Sequence, residues 1–375
     1  MLEKIINGIK KVKSSLKTAI GLGIVGAAFA TGGVKAADEY EITKIIIPDP
    51  NANFIMATGI NEYGEVVGFY GKTDVFKTFW RRAFLYKNKI VKDLGENDYS
   101  SPAINDLGDI VVCFSWKGSF VYKIGEKPIE LVFWCEDINN KGEVVGGVGN
   151  EIYLYSEGKT ITLLHSGDGV EARAVNEHTQ VVGNVYGVVG APHAFLWEKG
   201  VVTYLTNLYC AAMDINNSSQ IVGYFYSSAQ TNELSYACMW EKGVTGWIMR
   251  QLDTIKSVAN AINDKGQIVG SEISLNWPRN PTRATLYEIR NGELIKINLN
   301  DFLSENSEWE RLVCALDIND KGQIVGYGEG HNEPGSQYAF VMTPIPLEGD
   351  LNNDGIVNLR DLSELANHWL DGTSP

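Results

Sequence analysis

Along the chain, short apolar runs alternate with polar or glycine-rich punctuation, and one arrangement of that alternation recurs seven times. The copies are ATGINEYGEVVGFY (57–70), PAINDLGDIVVCF (102–114), EDINNKGEVVGGV (136–148), RAVNEHTQVVGNV (173–185), MDINNSSQIVGYF (213–225), NAINDKGQIVGSE (260–272) and LDINDKGQIVGYG (316–328). In each, a run of small and β-branched residues leads into an asparagine, and a Val/Ile run follows. The asparagines are Asn61, Asn105, Asn139, Asn176, Asn216, Asn263 and Asn319, spaced by 44, 34, 37, 40, 47 and 56 residues. A second apolar run comes next in every copy: RAFLY (82–86), GSFVY (118–122), EIYLY (151–155), HAFLW (193–197), YACMW (236–240), RATLY (283–287) and YAFVM (338–342). A further β-type run closes most of them, as in KIVKDL (89–94) and GVVTYL (200–205).

Short strands at this spacing, with no helical periodicity between them, predict an all-β array. A repeat of roughly 40–45 residues carrying four strands is the pattern of a β-propeller blade. Ala103, Ala174, Ala211, Ala212, Ala261 and Ala315 fit a first strand lying innermost, where blades crowd the axis. Asn-x-x-Gly predicts a type I turn, with asparagine capping its first position and glycine in the left-handed position at its end. Gly64, Gly108, Gly142, Gly266 and Gly322 fill that slot; Thr179 and Ser219 stand there in copies four and five, where looser turns are expected. A row of asparagines can be read as a ligand ring, but turn chemistry accounts for all seven. The glycine after the Val/Ile pair (Gly68, Gly146, Gly183, Gly223, Gly270 and Gly326, with Val112 in copy two) is expected to allow a bulge or close packing.

Seven asparagine turns have only six closing strands after them, and the strand at 39–47 (EYEITKIII) has no copy of its own. It can supply the outer strand of copy seven and remove two open edges. The expected fold is therefore all-β: a seven-bladed β-propeller over residues 39–345, closed by N- and C-terminal strands, plus a small C-terminal EF-hand-like loop-helix module.

Composition adds limits. The 375 residues are 44% hydrophobic and include 39 glycines but 11 prolines, which suits a large core with many tight turns. The net charge of −14 excludes nucleic-acid binding through phosphate neutralisation. Residues 1–36 hold six lysines and one acid, so the rest of the chain is five charges more acidic than the total, at −19. That basic start and the apolar stretch AIGLGIVGAAFA (19–30) read as a secretory signal peptide over 1–36, cleaved after Ala30 or Ala36. Twelve apolar residues fall short of a spanning helix and no later segment spans, so a protein secreted outside the cell or held at its surface is expected. Five cysteines without a C-x-x-C pair read as buried free thiols, with one or two bridges left open.

The segment HAFLWEKGVVTYLTNLYCAAMDINNSSQIVG (193–223) resembles the family of HAF extracellular repeats, with its His-Ala-Phe-Leu-Trp, Gly, then Ile-Asn and Val-Val-Gly. The resemblance covers roughly four-fifths of the chain. It implies the repeat architecture and an extracellular setting, and supplies no catalytic residue. Only His193 keeps the family histidine; Arg82, Gly118, Glu151, Tyr236, Arg283 and Tyr338 stand at the equivalent places.

Past a short linker, GDLNNDGIVNLRDLSELANHWL (349–370) fits D-x-N-x-D-G-x5-D. Asp350, Asn352 and Asp354 occupy positions 1, 3 and 5, the Ile356 carbonyl position 7, Asn358 position 9 and Asp361 position 12. These are oxygen ligands of the number and spacing that Ca2+ takes. With Asp at position 12 and no entering helix, residues 349–371 resemble a type I dockerin segment. That implies calcium-dependent folding and docking to a cohesin on a scaffold protein. The family pattern is duplicated and this chain has one copy, so another protein or the cell surface is an alternative partner, with Leu365 and Trp369 as anchors.

No H-x-x-x-H, G-x-S-x-G or P-loop occurs. The loops opposite the asparagine turns vary most (72–81, 226–234, 274–282, 298–311 and 328–336), and they carry Trp80, Arg81, Tyr226, Trp277, Arg279, Trp309, His331 and Glu333. Such residues stack on and hydrogen-bond sugar rings; the plainer reading is that they pack long loops. Two functions fit: an exported non-catalytic binding or structural propeller displayed by a calcium-dependent docking module, or a polysaccharide-degrading hydrolase or lyase with its site in the funnel. Two carboxylates about 5–9 Å apart would favour hydrolysis. An Arg/Tyr/His cluster would favour elimination, and a funnel closed by side chains a binding role.

Overall fold

The computed structural model describes residues 40–345 except 73–79, 97–100, 115–117, 168, 188–190, 228–234, 274–281, 291 and 332–334. The expected signal peptide and calcium segment, with all six calcium ligands and both anchors, lie outside the described residues, as do Trp277, Arg279 and Glu333.

Strand β1 (Tyr40–Lys44) precedes seven units. Unit 1 holds β2 (Phe54–Ile60), β3 (Val66–Lys72), β4 (Trp80–Lys87) and β5 (Ile90–Glu96). Unit 2 holds β6 (Ala103–Ile104), β7 (Ile110–Phe114), β8 (Gly118–Tyr122) and β9 (Ile129–Leu131). Units 3 and 4 comprise β10 (Trp134–Ile138), β11 (Val144–Val148), β12 (Glu151–Ser156), β13 (Lys159–His165), β14 (Val170–Val175), β15 (Val181–Tyr186), β16 (Pro192–Glu198) and β17 (Val201–Tyr204). Units 5 and 6 comprise β18 (Cys210–Ile215), β19 (Ile221–Tyr226), β20 (Ser235–Lys242), β21 (Trp247–Gln251), β22 (Ser257–Ile262), β23 (Ile268–Glu272), β24 (Arg283–Arg290) and β25 (Glu293–Asn298). After a 3-10 turn at Leu299–Phe302, unit 7 has β26 (Trp309–Ile318), β27 (Ile324–Gly330) and β28 (Gln337–Pro344).

Units 2 to 6 each fold as a separate four-stranded antiparallel sheet with strands in chain order. Units 7 and 1 meet through a single parallel pair, Phe54 opposite Gln337. The strand at the N-terminal side, β1, pairs with β28, and the Ile45 N–H donates to the Ala339 carbonyl at 2.9 Å.

The core lies between successive sheets. Ala174, Val182, Ala194 and Leu196 of unit 4 pack on Cys210, Ala212, Ile221 and Trp240 of unit 5. The seam between the first and last units is built the same way, from Ile55, Ala57 and Phe84 against Val325, Ala339 and Val341, with Ile45 and Ile47 added. Phe84, Phe195 and Phe340 are fully buried, each contributing about 2–3 kcal/mol. All five cysteines are buried free thiols.

One backbone device repeats along the inner strands. Register shifts by one residue at Thr58, Glu136, Arg173, Met213, Asn260 and Leu316, so each is a bulge residue with no partner across the ladder. The glycine opposite is the reason the bulge fits. A Cβ on Gly223 would stand 1.9 Å from the Ala211 carbonyl oxygen, and one on Gly146 1.8 Å from that of Trp134. Unit 2 carries Val112 at this place, and there β6 is two residues long and pairs only as far as Ala103 with Val111.

Every turn closes through the asparagine, with the N–H of the fourth residue donating to its carbonyl at 3.0–3.1 Å. The looser turns expected at Thr179 and Ser219 are not found. Both residues adopt left-handed φ, 58° and 60°, and their N–H bonds of 3.1 and 3.0 Å match those of the glycine turns. Their hydroxyls offset the strain: Thr179 Oγ1 donates to Glu143 at 3.0 Å and Ser219 Oγ to Gln180 at 2.8 Å, each in the preceding unit.

Candidate functional site

The seven turns surround a cavity of about 220 Å3 lined by the same three positions of each unit: Ile or Val, then Asn, then Asp, Glu or Asn. The asparagines are 3–5% exposed. In Asn216, Oδ1 accepts from the N–H groups of Ser218 and Gln220, which is the turn chemistry read in the sequence. Its Nδ2 also donates to the Asn263 carbonyl of the next unit at 3.0 Å. The same bond joins Asn61 to Asn105, Asn105 to Asn139, Asn139 to Asn176, Asn176 to Asn216 and Asn263 to Asn319. Asn319 donates to the Asn61 carbonyl at 2.9 Å and completes the circle.

A second circle lies one residue on. The N–H of Glu62 donates to Asp106, Asp106 to Asn140, Asn140 to Glu177, Glu177 to Asn217, Asn217 to Asp264, Asp264 to Asp320, and Asp320 to Glu62, all at 2.6–2.8 Å. Five carboxylates thus rim the opening, and burial raises the Glu62 and Asp320 carboxyls. Deeper, Asp137, Asp214 and Asp317 each accept from their own unit and from the next, at Val175, Ile262 and Ile60, each at 2.8 Å. Burial pushes Asp214 and Asp317 up to about 7. This mouth is saturated by bonds between units. Among the described residues, no group of three or more His, Cys, Asp or Glu is placed to hold a metal ion.

Away from the turns the circle loses its regularity. The bulge residues Glu136 and Arg173, on adjacent units, are both half-buried and interact, while Arg173 Nη2 bonds Glu171 at 2.6 Å. Glu171 also accepts from the Tyr186 hydroxyl at 2.7 Å. Unit 5 adds Tyr224 and Tyr226, whose rings meet edge to face with centroids 5.5 Å apart. Burial pushes Glu136 up to about 7 against the pull of Arg173, and raises Tyr186 to about 12 with help from Glu171. Burial and the Tyr226 bond push Tyr224 higher still. Three tyrosines, two carboxyls and one guanidinium are therefore grouped across units 3 to 5, linked by these bonds and by the influence of Arg173 on Glu136 and Tyr224, and each residue is only partly buried.

Of the residues named from the loops, Tyr226 belongs to this cluster, while Trp80, Arg81 and His331 sit elsewhere. Trp80 packs edge to face on Tyr70 at 6.0 Å, and the Arg81 guanidinium lies 3.6 Å from the centre of the Phe69 ring. His331 is exposed, its N–H donating to the Glu308 carbonyl at 3.3 Å. These three do not join the cluster of units 3 to 5. Nothing in the hydrophobic period marks that cluster, because a bulge is invisible to it. The signal was the position three before each asparagine, where Thr58, Pro102, Glu136, Arg173, Met213, Asn260 and Leu316 all differ between small or β-branched neighbours.

No protein-family model and no curated protein matches the chain. Among solved structures, it is similar to the β-propeller domain of the Trilobed protease from Pyrococcus furiosus, at 11% identity over 78% of this chain and 93% of that one, with a TM-score of 0.52. It is also similar to a Mycobacterium tuberculosis puromycin-hydrolyzing peptidase, at 11% identity and a TM-score of 0.54, over 84% of this chain and 55% of that one. The chain spans about half the length of that peptidase. At such identity the likeness speaks for the fold alone: the described chain is an all-β protein of the β-propeller type.

Proposed function

We propose that this chain is an exported, non-catalytic β-propeller that binds extracellular polysaccharide and is displayed by a calcium-binding docking segment. The propeller has seven blades over residues 39–345, with β1 as the outer strand of the last. The circle of seven asparagine bonds and the pairing of β1 with β28 support this count. The signal peptide over 1–36 rests on the basic and apolar start of the sequence. Calcium at Asp350, Asn352, Asp354, Ile356, Asn358 and Asp361, and docking on a cohesin-like or surface protein through Leu365 and Trp369, rest on the spacing of those residues.

The observation that carries the binding reading is the grouping of Tyr186, Tyr224, Tyr226, Arg173, Glu171 and Glu136 on one side of an otherwise self-saturated circle. These side chains bond one another and include no nucleophile paired with a base, which favours holding a ligand over cleaving it. The test is a glycan array together with a polysaccharide-degradation screen on the full chain, with and without chelator. Binding without product release is expected, and release of product from any polymer would overturn the non-catalytic reading. Calorimetry of Asp350→Ala with Asp354→Ala should lose calcium uptake while the propeller stays folded; unchanged uptake would move the metal elsewhere. A second reading, a propeller that accompanies a peptidase, is favoured by coverage of 93% of the Trilobed protease domain. Co-purification with a peptidase and no glycan binding would support it.

A further inference from the structure

The inner strands hold their neighbours nearly constant while varying one position. Beside each bulge stand Ala57, Cys135, Ala172, Ala212, Ala259 and Ala315 on one side and Gly59, Asp137, Ala174, Asp214, Ala261 and Asp317 on the other, small residues or the aspartates that tie units together. The bulge residue itself has no ladder partner, so the sheet imposes no side chain on it. Of the six, only Glu136 and Arg173 are charged, and they are on neighbouring units.

We propose that Glu136, Arg173, Tyr186, Tyr224 and Tyr226 form the subsite that holds one neutral sugar residue of the bound polysaccharide; this rests on the binding reading above and names its site and ligand class. Charge excludes the acidic sugars. The one guanidinium is shared between two carboxyls, being bonded to Glu171 at 2.6 Å and in the field of Glu136, so no cation is left over for a uronate or sulfate. The rim adds Glu62, Asp106, Glu177, Asp264 and Asp320, which repel an anion at the opposite mouth. Hydroxyl groups suit what remains. Arg173 Nε is a buried donor with no acceptor among the described residues, a costly state that a sugar hydroxyl relieves. Glu136 offers an acceptor, and the hydroxyl oxygens of Tyr186 and Tyr224, whose protons go to Glu171 and Tyr226, accept from sugar hydroxyls. The partly buried rings offer apolar surface for the C–H side of a pyranose.

The test is titration calorimetry of the full chain with cellohexaose, xylohexaose, mannohexaose and hexagalacturonate as probes. Binding to at least one neutral hexasaccharide is expected, with hexagalacturonate at least tenfold weaker. Tyr224→Ala should weaken the neutral ligand about tenfold or more, a loss of about 1.4 kcal/mol or above. Tyr186→Phe keeps the ring volume and should weaken it severalfold, with near-ultraviolet dichroism and thermal midpoint confirming the fold of both. If the neutral ligand binds and both variants keep wild-type affinity within twofold, the subsite is overturned and the binding reading stands. Tighter binding of hexagalacturonate overturns the neutral class. Failure of all four probes together with an empty glycan array overturns the binding reading itself.

Discussion

The most direct test of the circle of asparagines is Asn216→Asp. If asparagine served only the turn, aspartate would do as well, since its carboxylate accepts the same two N–H bonds from Ser218 and Gln220. The bond between units needs a donor, and aspartate has none. The substitution removes one of the two donors to the buried Asn263 carbonyl, which keeps the Gly266 N–H at 3.0 Å, and sets a carboxylate oxygen against it. The lost bond costs about 0.5–1.5 kcal/mol, and the buried, unpaired charge facing a carbonyl oxygen adds to it. A total near 3 kcal/mol is expected, close to the loss in Asn216→Ala, which forfeits all four bonds of the side chain. The Gln220 amide oxygen loses the same donor, and since its Nε2 is held by Glu241 at 2.7 Å this second bond is lost as well. In urea, with a slope of about 3 kcal/mol/M, the midpoint should fall by about 1 M with the slope unchanged. A change of less than about 0.5 kcal/mol in Asn216→Asp would reduce the asparagine to a turn residue and refute the reasoning.

Three further outcomes are expected. Gly223→Ala puts a Cβ 1.9 Å from the Ala211 carbonyl and should cost about 3 kcal/mol or prevent folding, whereas Gly149→Ala, with open space but φ of 62°, should cost about 1 kcal/mol; equal effects would discount the bulge contact. Thr179→Gly trades relief of a left-handed φ for the loss of the bond to Glu143 and should be near neutral, while Thr179→Ala keeps the strain, loses the bond and should cost about 1–2 kcal/mol by thermal denaturation. Burial raises Asp214 and Asp317 to about 7 from 3.8, so their contribution to stability is whole below the unfolded value and is lost as pH rises through about 7. Unfolding free energies from urea titration should therefore decline between pH 5 and pH 8, by about 1–2 kcal/mol per carboxyl once solvent access is allowed for, and Asp214→Asn with Asp317→Asn should flatten the profile; a rise with pH would contradict the assignment.

The repeat was legible because its apolar runs and Asn-x-x-Gly turns are local, and four strands per unit follow from spacing alone. The second job of the asparagines was legible only in part. Turn geometry tolerates aspartate, yet all seven positions are asparagine, and that uniformity is what a donor to the next unit demands. The acidic or amide residue after each asparagine carried the same message. Thr179 and Ser219 look like weak turns in isolation because the acceptors that hold their hydroxyls lie 36 and 39 residues away. The tyrosine, arginine and glutamate cluster was hidden for a related reason: Glu136, Arg173 and Tyr224 belong to three units, and only the bulge aims the first two at one place.

Six of the joints between asparagines link residues 34 to 56 apart in sequence, but the seventh, Asn319 to Asn61, spans 258. Loop-closure entropy grows as the logarithm of that span, so the last joint is about 1.5 kcal/mol dearer than its fellows before any contact rewards it. A chain emerging residue by residue can lay down six interfaces early and must wait for its final strands to lock. Until then the first and last sheets offer bare edges, and the period of greatest exposure to misassociation falls at the end of synthesis rather than its beginning.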